Sequence, residues 1–171
     1  MTAVLAAMML VGAAAATAAA ATKAPPAQVG THIQINGGIG KLTVGLLPAQ
    51  VRKLLGAPSK TAHVTDASGK RRVLRMDYSR YALSLLFDWT AGEPNAVSVI
   101  DVDGPRYRTS GGIHVGSSKA ALLRAHPETS CGSLSGGKPG EEVCAIAGDG
   151  RRTTFVTTKA HRIRTIEIGT D

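Results

Sequence analysis

The stretch Leu42–Pro58, LTVGLLPAQVRKLLGAP, decides the fold of this chain. It begins as the end of a short strand, breaks at Gly45 and continues as one amphipathic helix. Pro48 falls in the first helical turn, where a missing N–H costs nothing. Val51, Leu54 and Leu55 recur at i, i+3 and i+4 and form one apolar face, while Arg52 and Lys53 turn to water. Gly56 is the C-terminal stop, and Pro58 stands just beyond it. A second copy starts at Ile113, IHVGSSKAALLRAHP, and closes at Pro127. Leu42-Thr43-Val44-Gly45 and Ile113-His114-Val115-Gly116 superpose without a gap. Ser117 or Ser118 is placed to cap the second helix, and Ala121, Leu122 and Ala125 supply its weaker apolar face.

After each helix the hydrophobic period changes from 3.6 to 2. In the first unit the expected strands are 60–66, 71–78, 81–89 and 96–102, with turns at Asp66-Ala67-Ser68-Gly69 and over 90–95. Tyr81, Leu83, Leu85, Phe87 and Trp89 alternate with Ala82, Ser84, Leu86 and Asp88, the clearest strand signal in the chain. In the second unit the expected strands are 129–134, 142–147, 152–158 and 162–168. A brief strand at 32–35 precedes the first unit, and Asn36-Gly37-Gly38 turns the chain after it. Units of this size bury little surface alone. The economical solution is one largely antiparallel sheet of about eight strands, with both helices on one face and the other face open. The expected class is α+β, built from tandem units at 31–104 and 105–171.

The N-terminus stands outside that plan. Residues 1–22 hold no charged side chain and end in small residues, Ala18 to Ala21, that offer A-x-A cleavage choices. This reads as a secretory signal peptide, followed by a Pro-containing linker over 23–30. No Lys or Arg precedes the apolar run, which points to a start codon further upstream. The alternative is an uncleaved membrane anchor, for which the run is long enough although alanine is only weakly apolar. In an oxidising compartment the only two cysteines, Cys131 and Cys144, are expected to form a disulfide. A zinc site there would lack two of its four ligands.

The chain carries 20 Lys and Arg against 12 Asp and Glu, a net +8. On an exported protein that charge favours anionic surfaces: phospholipid headgroups, acidic wall polymers or an acidic partner. It does not point to nucleic acid, because the basic residues are scattered rather than interleaved with aromatics. The excess of Arg over Lys and the alanine content suggest a bacterial source.

Gly45, Val51, Gly56 and Pro58, then Gly116, Leu122 and Pro127, form a short motif that opens a helix ahead of antiparallel strands, twice over. This resembles the β-lactamase inhibitory protein superfamily and the small lipoproteins of outer-membrane assembly. The resemblance implies the helix-then-meander fold and a cysteine pair on the strands after the helix, met here by Cys131 and Cys144. Two features depart from the pattern. The first unit has no cysteines, and Leu46-Leu47 stands where a capping Ser or Thr is usual. Aromatics make up only 4% of the chain, and Tyr81, Phe87 and Trp89 fall on the face assigned to the core. The resemblance therefore implies the fold without transferring the inhibitor's target.

No catalytic constellation emerges. His32, His63, His114, His126 and His161 are isolated in sequence, and no nucleophile elbow or metalloprotease motif occurs. Asn36-Gly37-Gly38-Ile39-Gly40 lacks the ending of a phosphate loop. Asp101 and Asp103, and the pair Glu141-Glu142, are too few for a calcium site. The expectation is a non-enzyme without cofactor or metal, monomeric, and secreted or held at the cell envelope. Its open sheet face would dock a protein partner through Arg71, Arg75, Arg162 and Arg164, with either Arg162 and Arg164 or Ile163 and Thr165 pointing outward. The alternative is an envelope-associated accessory protein held by charge to an anionic polymer or lipid.

Overall fold

The structure is a computed structural model that describes residues 25–65, 72–90, 93–133 and 138–170. Arg71, the 1–22 segment and the turn over 66–69 lie outside the described residues. The described elements are twelve strands and two helices: β1 (His32–Gln34), β2 (Gly38–Ile39), β3 (Leu42–Thr43), α1 (Pro48–Leu55), β4 (Lys60–Thr65), β5 (Arg72–Tyr78), β6 (Leu83–Thr90), β7 (Glu93–Val102), β8 (Arg108–Thr109), α2 (Lys119–Ala125), β9 (Ser130–Ser133), β10 (Glu142–Gly148), β11 (Arg151–Thr157) and β12 (Ile163–Thr170).

Eight of the strands form one antiparallel sheet in the order β4-β5-β6-β7-β12-β11-β10-β9. Each half of the chain runs helix first and then a four-strand meander, and the halves meet through their final strands. The join pairs Val102 with Ile166 and Ile100 with Ile168. All four side chains are fully buried, so the middle of the sheet is its driest part. The α+β architecture and the single large antiparallel sheet follow the alternation read from the sequence.

A second, small sheet does not. Its order is β3-β2-β1-β8, and β1 pairs with β8 in parallel, His32 with Arg108 and Ile33 with Thr109. The parallel pair links the entry to the first half with the entry to the second. The sequence foresaw β1, expected at 32–35, and the strand end at Leu42, but strands this short carry no period that reveals their pairing. Ile33, Ile39 and Leu42 are nonetheless buried, in the same core as the large sheet. Gly40 shows why this stretch is glycine-rich. It sits at φ +56°, and a Cβ there would run into the carbonyl oxygen of Val29.

Both helices pack on the same face of the large sheet. Val51 and Leu55 of α1 and Leu122 of α2 join Leu74, Met76, Leu85, Phe87, Ile100, Phe155 and Ile166 in one cluster. Burying each such side chain is worth roughly 1.5–3 kcal/mol before entropy. The helices differ at their N-termini. Ser118 caps α2, its Oγ accepting from Ala121 N–H at 3.1 Å. Leu47 has no acceptor to offer α1, and Gln50 Oε1 instead accepts from Leu47 N–H at 2.7 Å. Ser118→Ala is therefore expected to cost about 1 kcal/mol, read as a Tm lower by about 2–4 °C. An unchanged melt would show that the α2 cap is energetically idle. At its other end α1 is closed by Arg80, whose Nη2 donates to Leu55 O at 2.7 Å and Ala57 O at 3.2 Å.

Two boundaries differ from expectation. Tyr81 belongs to a 3-10 turn over Ser79–Tyr81, after which Ala82 takes φ +54° and β6 begins at Leu83. Tyr81 is still buried, held in place as its carbonyl accepts from Tyr107 Oη at 2.8 Å. The strands flanking the expected 90–95 turn are longer than alternation alone suggested, β6 reaching Thr90 and β7 starting at Glu93. The Cys131–Cys144 disulfide is present and joins directly opposed residues of β9 and β10. No helix among the described residues is long and apolar enough to cross a membrane.

Candidate functional site

Because both helices and the small sheet cover one face of the eight-stranded sheet, the side chains of the other face can be read from the ladder register. One row crosses all eight strands: Lys60, Asp77, Ser84, Asp101, Glu167, Thr154, Ala145, Ser130. The neighbouring row runs Ala62, Arg75, Leu86, Val99, Gly169, Arg152 and Ala147. Gly169 contributes no side chain, and its absence leaves a shallow notch lined by Val99, Arg152, Thr154, Glu167 and Thr170.

The sequence suggested a basic face. The register instead gathers carboxylates at its centre, Asp77, Asp101 and Glu167, with Asp103 just past the end of β7. Arg75 is on the face as expected, and it is committed there. Its Nε donates to Asp77 Oδ1 at 2.7 Å, and its Nη2 to Ser84 Oγ at 3.0 Å. Ser84 Oγ in turn donates to Asp77 Oδ1 at 2.8 Å. Burial works to raise the pKa of Asp77, but the hydrogen bonds from Arg75 and Ser84 outweigh it and hold the carboxyl below its ordinary value.

Among the described residues Asp101 has no such hydrogen-bond partner. Burial first, then the neighbouring Glu167 and Asp103, push its pKa up to about 7, against only a partial pull from Arg75. Glu167 is raised in the same sense by burial, offset in part by Arg164 and Arg152.

The other two arginines sit elsewhere. Arg162 precedes β12 and donates through Nη1 to Gly116 O at 3.0 Å. A register shift between Val156 and Thr157 lets Arg164 bulge out of the β11–β12 ladder, so that Ile163 enters the core while Thr165 faces outward. Arg164 Nη1 lies 3.4 Å from Glu141 Oε1, and Thr165 Oγ1 donates to Asp103 Oδ1 at 3.0 Å. Arg75, Arg162 and Arg164 are thus not brought together. Beside Arg164, Glu142 accepts from Lys119 Nζ at 2.8 and 2.9 Å and lies 3.4 Å from His161 Nδ1. His126 is buried against Thr109 Oγ1 at 3.2 Å and serves packing. Among the described residues no group of three or more His, Cys, Asp and Glu is placed to hold a metal ion.

The fully buried aromatics Tyr78, Phe87, Tyr107 and Phe155 lie in the core. The carboxylate row escaped sequence reasoning because its members are far apart in the chain. The Asp101–Asp103 doublet was visible, but not the partners that strand pairing brings beside it.

Two solved structures share this architecture. One is an extracellular protein containing an SCP domain from Bacillus anthracis, 9% identical, with a TM-score of 0.51 over 75% of this chain and 44% of that one. The other is a DUF4309 family protein, YjgB, from Bacillus subtilis, 13% identical, with a TM-score of 0.51 over 78% of this chain and 84% of that one. The chain spans less than half the length of the first. At such identities the likeness is one of fold alone. No protein-family model matches the chain, and no curated protein matches it.

Proposed function

We propose that this chain is an exported, non-catalytic binding module that docks a protein partner through its open sheet face, a use akin to that of the β-lactamase inhibitory proteins it resembles. The observation that carries this reading is a face that no other described element covers: a row continuous over eight strands, with Leu86 and Val99 half-buried beside carboxylates that a purely solvated surface has no need to crowd. Export is supported by the disulfide, which persists in oxidising compartments, with residues 1–22 as the signal. The two helix-plus-meander halves are read as copies of one ancestral unit, and the module is taken to act as a monomer.

The test is capture from the producing cell's envelope and culture fluid on mature protein, washed at low and high salt. One protein retained in stoichiometric amount through the salt wash, and lost at least tenfold with Leu86→Lys while the melt is unchanged, supports the reading. Retention that ignores Leu86→Lys removes the open face from the function.

A further inference from the structure

The net charge has an address. From residue 25 to 65, and again from 104 to 127, the sequence contains no Asp or Glu. Those two stretches hold eight Lys and Arg, which equals the whole +8 of the chain, since the other 12 are matched by the 12 acids. Apart from Lys60, which lies on β4 in the open-face row, these cations belong to α1, α2, the small sheet and the segments beside them, the layer that covers the sheet on the side opposite the open face. Within it Lys41, Arg52, Lys53, Arg108 and Arg124 are exposed. Lys119 is neutralised from outside by Glu142. Glu128 stands just past α2 beside His126.

The layer has a second property. Among the described residues the large apolar side chains left exposed are Leu47, at 52%, and Leu123, at 38%. One opens α1 and the other lies on α2, next to Arg124. A leucine at the first position of a helix that lacks a cap serves the fold poorly. Exposed cations with a leucine beside them suit a bilayer surface, where the cations meet anionic headgroups and the leucines enter the acyl boundary. A hydrated polyanion would satisfy the cations and offer the leucines nothing.

We propose that the helical layer is a membrane-surface site that seats the protein on anionic phospholipid, leaving the opposite sheet face turned outward. This interaction is independent of what the sheet face binds.

Vesicle sedimentation of the purified protein tests it, comparing phosphatidylglycerol-containing with pure phosphatidylcholine vesicles. Binding is expected only to the first, falling steeply with salt. Arg52→Ala with Lys53→Ala should weaken it about thirtyfold, at about fivefold per cation, whereas Arg152→Ala, on the open sheet face, should change it less than twofold. Leu47→Ser with Leu123→Ser should weaken it several-fold at constant charge. Leu47→Ser also supplies an α1 cap, and an unchanged melt of the double variant excludes loss through unfolding. The proposal is overturned if the vesicles do not bind, or if Arg152→Ala matters as much as the helix cations. It is equally overturned if soluble polyphosphate binds as well and the leucines are neutral, or if the Arg52 and Lys53 substitutions instead abolish a salt-sensitive self-association.

Discussion

At pH 8, Asp101→Asn should melt well above the parent protein. Asp101 is pushed to about 7 from an ordinary 3.8, by burial and then by Glu167 and Asp103. Its folded form therefore keeps a proton that the unfolded chain gives up once the pH passes about 4. Between those two values the native state binds more protons than the unfolded one, and stability falls as pH rises. Below about pH 4 both states hold the proton and nothing is lost; above about 7 the full cost applies. One pKa unit is worth about 1.4 kcal/mol, so the rise from 3.8 to about 7 makes the charged carboxyl cost on the order of 4 kcal/mol at pH 8. Asn is nearly isosteric and cannot ionise. The expected gain is a Tm higher by roughly 5–15 °C at pH 8, shrinking towards zero at pH 4. Glu167→Gln should act in the same direction by less. If parent and variant lose stability in parallel from pH 5 to 8, the carboxylate row is not under electrostatic stress.

The second large effect concerns the edge of the sheet. In the chain-entropy picture, closing a loop the size of that between Cys131 and Cys144 stabilises by roughly 3 kcal/mol. That figure assumes the reduced protein still folds completely. All four residues of β9 are exposed, and among the described strands β9 pairs with β10 alone. Once reduced, the protein has a cheaper course than global unfolding, which is to release β9 alone. Reduction should therefore lower the global melt by less than the full amount. It should also make the amides of 130–133 exchange freely, and expose the β9-facing amides of β10 while the β10–β11 ladder stays protected. Hydrogen exchange with and without reductant reads this directly. Continued protection of 130–133 in the reduced protein would mean that backbone pairing suffices to hold the edge.

Local structure was largely legible in the sequence. The face of α1 proved to be Val51, Leu55 and in part Leu54, ending at Gly56 with φ +79°. Ser118 was one of two capping candidates, and all eight strands of the large sheet lie within a few residues of where alternation placed them. Hydrophobic period, proline and glycine report on a residue's immediate neighbours, and these elements depend on nothing else. What stayed hidden needed partners from afar. Ile33 beside Thr109 and Asp101 beside Glu167 are products of register, which no single segment encodes. The expected basic sheet face failed for that reason: Arg75 was placed on the correct side, but Asp77 and Ser84 had already claimed it. The orientation of β12 stayed open until the ladder with β11 revealed the bulge at Arg164.

The join between β7 and β12 carries a consequence for how the protein comes into being. The strand latest in sequence sits in the middle of the sheet, so β7 waits about sixty residues for its neighbour. Until β12 arrives, the first meander ends in a bare, apolar strand with an unpaired backbone, the kind of edge that recruits other chains. Completing the sheet is an event of high sequence separation and correspondingly slow. Exported N-terminus first, as proposed, the chain would spend its transit in halves that cannot yet close. The last strand to emerge is the one that seals them.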